Sequence, residues 1–140
     1  MLKTCLITAM AAIWLAASPT AKAGVAFDGQ WTTTVVCPDY QDALGVNFHF
    51  GIFIQNGQVQ GSYGQPGKPG SGMVTGTVGD DGTLTLSGSA ITNDPAYAVG
   101  HVPAGTTLTF TVNGKLDNDS GQGTRTETRP CTFYFNKAPF

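Results

Sequence analysis

The sequence has few charged residues, and the two signs nearly balance. Lys and Arg number 7 and Asp and Glu number 9, so charged residues are 11% of the 140 and the formal charge is −2. So little positive charge excludes the electrostatic surface that nucleic-acid binding requires, and we expect no nucleic-acid partner. A hydrophobic content of 41% argues against an intrinsically disordered chain.

Long hydrophobic runs are also missing. The apolar stretch Leu6–Ala17 falls short of the about 20 residues that a membrane-spanning helix needs. Lys3 precedes this stretch and the small-x-small sequence Ala21-Lys22-Ala23 follows it, which is the pattern of a secretory signal peptide. We therefore predict a signal peptide over residues 1–23 and a single periplasmic or secreted domain over residues 24–140, with no membrane span after cleavage.

Catalytic and cofactor-binding motifs are absent from the sequence. It has no G-x-S-x-G, no phosphate-binding loop and no dinucleotide fingerprint, and its two histidines, His49 and His101, lack a zinc-ligand spacing. Asp39 and Asp42 could form a carboxylate pair, although acidic surface loops are common. The sequence predicts no catalytic residue, no metal site and no cofactor.

Two further charged clusters have ordinary interpretations. Asp117–Gly121 is similar to the opening of a calcium loop but lacks the closing Glu, so a polar turn is the simpler interpretation. Arg125 and Arg129 flank Glu127 on one predicted segment, which is too few groups to define an anion site.

Only three cysteines are present, and Cys5 lies within the predicted signal peptide. Two cysteines left in an exported chain usually form a disulfide. The alternative, a reactive or metal-binding pair, has neither a C-x-x-C spacing nor a nearby His to support it. We predict a Cys37–Cys131 disulfide.

Alternating side chains dominate what remains. Val46–Gln55 places Val46, Phe48, Phe50, Ile52 and Ile54 on one face, which is the period of a half-buried strand. Asn56-Gly57 follows directly and predicts a tight hairpin turn. Asn113-Gly114 predicts a second one. The other predicted strand segments are residues 27–36, 58–64, 73–78, 83–89, 106–112, 115–116, 123–128 and 131–136.

About eight short strands joined by hairpin turns predict an all-β antiparallel meander. Closing that meander into a small barrel hides its edges, and a two-sheet β-sandwich is the alternative. Glycine and proline mark Gln65–Gly72 and Asn93–Gly105 as loops.

A set of short motifs covers nearly the whole predicted domain. They are Phe27-Asp28-Gly29-Gln30-Trp31, Cys37, Val59-Gln60-Gly61, Gly121-Gln122-Gly123-Thr124-Arg125 and Cys131. This F-D-G-x-W, Cys, V-x-G, G-x-G-x-R, Cys order resembles a group of small exported bacterial proteins of unestablished function. The resemblance implies export and a compact all-β domain, and it implies no activity.

A weaker resemblance is to avidin and lipocalin-like barrels. Gly29-Gln30-Trp31 is similar to their G-x-W entry, and Asn56–Gly64 resembles the second hairpin of avidin. Avidins enclose biotin with several tryptophans, whereas the predicted domain has only Trp31. Biotin binding is therefore not expected, but a cavity for an apolar ligand remains open.

These observations favour a binding or interaction module of the cell envelope, without catalytic activity. One hypothesis is that the loops Gln65–Gly72 and Asn93–Gly105 engage an envelope protein or a glycan. The alternative is a lipocalin-like or avidin-like carrier of a small apolar ligand, with Trp31, Phe48 and Phe110 lining its cavity. A hydrolase using His49, or the pair Asp39 and Asp42, is a third and weaker alternative.

Overall fold

The computed structural model describes residues 25–138, and these residues form a closed barrel of eight antiparallel strands. Each strand pairs with the next, and the last pairs with the first. The all-β barrel predicted from the sequence is thus confirmed, and the β-sandwich alternative is not. The strands are β1 (Gly29–Cys37), β2 (Val46–Gln55), β3 (Gln58–Tyr63), β4 (Gly72–Val78), β5 (Thr83–Ile91), β6 (Thr107–Asp117), β7 (Ser120–Arg125) and β8 (Cys131–Asn136).

Helical structure within residues 25–138 is limited to three single-turn 3-10 helices, Val25–Phe27, Pro95–Tyr97 and Val99–His101. No helix in this part of the chain is long and apolar enough to cross a membrane. The predicted signal peptide, residues 1–23, lies outside the described residues.

The hairpin between β2 and β3 forms where the sequence predicts it. Gln55 pairs with Gln58 across a two-residue turn, and Asn56 and Gly57 adopt φ angles of 52° and 73°. Asn and Gly tolerate this left-handed conformation, and its twist matches that of the flanking strands. The turn places the apolar side chains of Val59 and Ile54 on the inner face together.

The second predicted hairpin is wrong. Asn113 and Gly114 lie inside β6, and the chain turns instead at Asn118, whose φ is 48°. Gly114 is required for close packing of β6 against β7 and not for a turn. A Cβ at this position would lie 2.4 Å from the carbonyl oxygen of Gln122 on β7. The glycine therefore permits two strands to approach closely.

Consequently β7 starts and ends earlier than the predicted segment, residues 123–128. The turn at Asn118 allows pairing to begin at Ser120, and it continues to the Arg125–Cys131 pair. Thr128 then has a φ of 65° and Pro130 lacks an N–H donor, so the segment between Arg125 and Cys131 leaves the sheet.

Trp31 and the residues around it seal one end of the barrel, here called the closed end. This end comprises residues 25–28 and the turns at residues 56–57, 79–82 and 118–119. Trp31 is fully buried, and its Nε1 donates to the Phe27 carbonyl oxygen at 2.8 Å. The Asp28 carboxylate accepts hydrogen bonds from the backbone amides of Asn56 and Gly57 at 2.8 and 3.3 Å. These hydrogen bonds hold the 3-10 helix Val25–Phe27 and Asp28 in place at the closed end.

Longer connections surround the opposite end, here called the open end, which comprises residues 38–45, 64–71, 92–106 and 126–130. The disulfide between Cys37 and Cys131 lies here, with Cα atoms 4.3 Å apart and a sequence separation of 94. It joins the last residue of β1 to the first residue of β8, so the predicted pairing is confirmed. The bridge fastens the two strands at which the barrel closes.

Candidate functional site

A cavity of about 480 Å³ occupies the open end of the barrel. Its apolar lining comes from inward-facing positions on five strands, including Cys37, Val46, Phe48, Ala90 and Leu108. Residues of the loop at positions 92–106 also line it. Below this level the interior is filled, because the large side chains of the barrel core are almost completely buried. The barrel is thus a cup with a packed base.

Aromatic rings of β2 and β3 form one wall of the cup. The Tyr63 ring lies 5.0 Å from the Phe48 ring and 5.2 Å from the Phe50 ring, measured between centroids. Tyr63 lies across Gly72 of β4, where a Cβ would come within 2.4 Å of the tyrosine ring. Burial raises the pKa of Tyr63. The wall is therefore mainly apolar and carries one hydroxyl that stays protonated at neutral pH.

Arg125 lies on the other side of the cup, at the end of β7. It pairs with Cys131, so both side chains project to the inner face of the barrel. Its Cζ atom lies 4.9 Å from the centroid of the Phe110 ring, and its Nε donates to the Glu127 carbonyl oxygen at 3.1 Å. Burial lowers the pKa of Arg125, although a guanidinium stays charged in proteins. The cavity therefore contains a positive charge set against an aromatic ring.

Arg129 anchors the rim of the cup. It is almost fully buried, and its Nη1 donates to the carbonyl oxygens of Leu44 and Tyr97 at 3.1 and 2.9 Å. Its Nη2 donates to the Leu44 and Pro38 carbonyl oxygens. Burial lowers its pKa. One side chain thus binds loop 38–45 to loop 92–106, a role that no motif in the sequence indicated.

The carboxylate of Asp42 connects the same two loops. Its Oδ1 and Oδ2 atoms accept from the Gly100 amide at 2.9 and 3.1 Å, and this amide lowers the pKa of Asp42. The His101 Nε2 lies 2.9 Å from the Asp42 carbonyl oxygen. The Asp39 carboxylate accepts instead from the Gly45 amide. The two acidic residues proposed as a pair therefore bind different backbone amides and organise the rim.

The three predicted lining residues lie at different depths. Phe48 lines the cavity. Phe110 lies in the core beneath Arg125 and next to the Phe133 ring, 6.2 Å away. Trp31 lies in the base at the closed end. Sequence alternation identified these side chains as inward-facing, but it carried no information on their height in the barrel.

The remaining candidates lie outside the cup. His49 is exposed on the outer face of β2. The residues of Asp117–Gly121, considered for calcium, form the turn from β6 to β7 at the closed end. Within residues 25–138, no group of His, Cys, Asp or Glu is arranged to hold a metal ion.

Comparisons with known proteins give no match: no family model, no curated protein and no solved structure is similar to this chain. The chemistry of the open end therefore rests on its own side chains. They supply an apolar and aromatic cup, one inward cation and a rim held by hydrogen bonds and a disulfide.

Proposed function

We propose that this protein binds and carries a small, largely apolar ligand in the cup at its open end. The observation that carries the proposal is the cavity of about 480 Å³ above a packed base. Small-molecule sites are commonly concave, mainly apolar and about 300–1,000 Å³ in volume. Eight-stranded barrels have an interior just wide enough to hold one small ligand. The resemblance to avidin and lipocalin-like barrels is in keeping with this role.

The rigidity of the rim supports the proposal. The Cys37–Cys131 disulfide, the Arg129 hydrogen bonds and the Asp42 hydrogen bonds hold the loops before any ligand enters. A site formed in advance avoids the cost of ordering loops on binding, which otherwise reduces affinity. The fixed rim suits a receptor for a small molecule better than a surface that must adapt to a large partner.

We further propose that the protein works in the periplasm or outside the cell, as the small exported proteins that it resembles do. A disulfide is compatible with such an oxidising compartment. Edman sequencing of protein recovered from its native compartment should start at Gly24. A sequence that starts at Met1 would contradict the proposed export.

A fluorescent reporter tests the binding site directly. N-phenyl-1-naphthylamine is neutral and apolar, and it fluoresces when it leaves water. We expect it to bind the native protein, and we expect Ala90→Phe, which fills the cup, to weaken that binding by about tenfold or more. Thr85→Phe is the matched control, because Thr85 is exposed on the outer face of the same strand.

Three results would contradict the carrier function. They are no reporter binding by the native protein, equal reporter binding by Ala90→Phe and the native protein, or an equal loss of reporter binding in Ala90→Phe and Thr85→Phe.

Native mass spectrometry of protein purified from its own host provides a second test. A co-purified small molecule supports a carrier. An empty barrel bound to an envelope protein or a glycan would favour the other hypothesis, in which loops 65–72 and 93–105 contact a macromolecule.

A further inference from the structure

The cup contains a positive charge that forms no ion pair with a carboxylate of the described residues. Arg125 and Arg129 both line the cavity. Among residues 25–138, neither arginine forms an ion pair with a carboxylate, whereas His101 lies 3.9 Å from an Asp42 carboxylate oxygen. Burial lowers the pKa of Arg125, and the nearby charge of Arg129 lowers it further, while Tyr63 and Glu127 act in the opposite direction. Two like charges thus lie close together at an apolar site.

The neighbouring acidic groups are directed to other donors. Glu127 lies nearest to Arg125 in sequence, but its Oε1 accepts from the Thr111 amide at 3.1 Å and the residue is exposed. Asp94 lines the cavity, yet its Oδ1 caps a 3-10 helix by accepting from the Ala96 amide at 2.9 Å. Asp39 binds the Gly45 amide. Each of these carboxylates thus binds a backbone amide of the rim or of β6, and none of them forms an ion pair with Arg125.

The two arginines are not equivalent. The Nη atoms of Arg129 are already bonded to backbone carbonyl oxygens of the two loops, so this residue is part of the rim. Arg125 makes its hydrogen bond within the described chain through Nε, to Glu127. Its ring contact with Phe110 holds the guanidinium at the wall of the cup. Its two terminal nitrogens can therefore serve a ligand, and a planar guanidinium binds a carboxylate through two parallel hydrogen bonds.

We infer that the ligand is an organic acid, with an apolar body in the aromatic cup and a carboxylate bound by Arg125. This inference rests on the proposed carrier function and assigns the chemical class of its cargo. A partly buried cation that no carboxylate contacts is costly, and the carboxylate of the ligand supplies the missing contact. The protonated hydroxyl of Tyr63, on the facing wall, offers a further donor.

The test compares two ligands that differ in charge and share a chain. Dodecanoate and dodecan-1-ol are titrated at pH 7 against protein loaded with N-phenyl-1-naphthylamine, and displacement of this neutral reporter gives each affinity. We expect native protein to bind dodecanoate more tightly than the alcohol. Arg125→Met should weaken dodecanoate binding by about 10- to 100-fold, since a hydrogen bond to a charged group contributes that much, and should leave the alcohol and the reporter within about twofold.

Two variants make the result specific. Lys115→Met removes one positive charge from an exposed position of β6 and should change neither affinity. Arg125→Lys keeps the charge but loses the two-pronged geometry, so it should recover part of the dodecanoate affinity. Unchanged reporter binding by each variant shows that its cup is intact.

The possible failures are distinguishable. If the reporter binds but dodecanoate and dodecanol compete equally, or if Arg125→Met weakens both alike, the carrier function stands and the acid-binding role of Arg125 is wrong. If native protein does not bind the reporter at all, the carrier function itself fails and the inference fails with it.

Discussion

The two ends of the barrel are built from the same strands, but one is sealed and the other is hollow. At the closed end, short turns bring the strands together and Trp31 fills the space between them. At the open end the connections between strands are longer, and the rings of Phe48 and Tyr63 line a cavity. Turn length and side-chain placement therefore decide which end of a small barrel can hold a ligand.

The ends also differ in how they are held. Hydrophobic packing around Trp31 and the carboxylates of Asp28 and Asp81, which bind backbone amides, stabilise the closed end. At the open end a cavity replaces part of the packed core. The stability of this end therefore depends on the Cys37–Cys131 disulfide and on hydrogen bonds between loops. Perturbing each type of contact should therefore affect the two ends differently.

Loss of the disulfide should have the largest effect. Closing a loop with a sequence separation of 94 restricts the unfolded chain, and the loop-entropy model gives about 4–5 kcal/mol. We expect dithiothreitol to lower the melting temperature by more than about 10 °C, and hydrogen exchange to quicken first in residues 38–45 and 126–130. An unchanged melting temperature, with reduction verified by mass, would show that the open end does not need the bridge.

Truncating one aromatic ring at each end gives a direct comparison. Trp31→Ala should cost about 3–5 kcal/mol of unfolding free energy, because it leaves a void in the packed base. Phe48→Ala should cost less, about 1–2 kcal/mol, because Phe48 is half-buried and already borders a cavity. Urea denaturation measures both, and reporter binding should suffer only in Phe48→Ala. Equal losses of unfolding free energy in the two variants would mean that the open end is as tightly packed as the base.

Acid should loosen the rim by a smaller amount. The Gly100 amide lowers the pKa of Asp42 below its ordinary value of 3.8, so this contact stabilises the fold above that pH and is lost as the pH falls through the folded value. Asp42→Asn should remove part of this acid dependence, because it lacks the stabilisation that ionised Asp42 adds at neutral pH, so the two proteins should differ slightly at pH 7 and converge at low pH. Amide exchange of Gly100, followed by NMR from pH 5 to pH 2.5, tests this. Equal pH dependence in both proteins would assign the effect to other carboxylates.

Most of the barrel could be predicted from local patterns. The alternation in Val46–Gln55 and the Asn56-Gly57 turn fixed β2 and the β2–β3 hairpin, since both depend on neighbours in sequence. The same reasoning predicted a hairpin turn at Asn113-Gly114, and this prediction was wrong because both residues lie inside β6. A glycine that permits close approach of two strands has the same sequence signature as one that turns the chain.

The site was harder to predict than the fold. Arg125 and Arg129 look alike in sequence, yet one lines the cup and the other binds the carbonyl oxygens of two loops. Asp39 and Asp42 looked like a pair and instead serve separate amides. Each role depends on a partner far along the chain, such as Gly100 for Asp42, and no local pattern encodes such a partner.

The sequence alone determined that the chain forms alternating strands with short turns, because side-chain period and turn chemistry act over a few residues. It also predicted the Cys37–Cys131 disulfide, because the third cysteine, Cys5, lies in the predicted signal peptide. Only the tertiary structure decided how high each inward side chain lies, which end stays hollow and which arginine faces the cavity. The physical reason is that these properties follow from strand register around a closed circuit. Register is set by all eight strands together, so it cannot be read from any one of them.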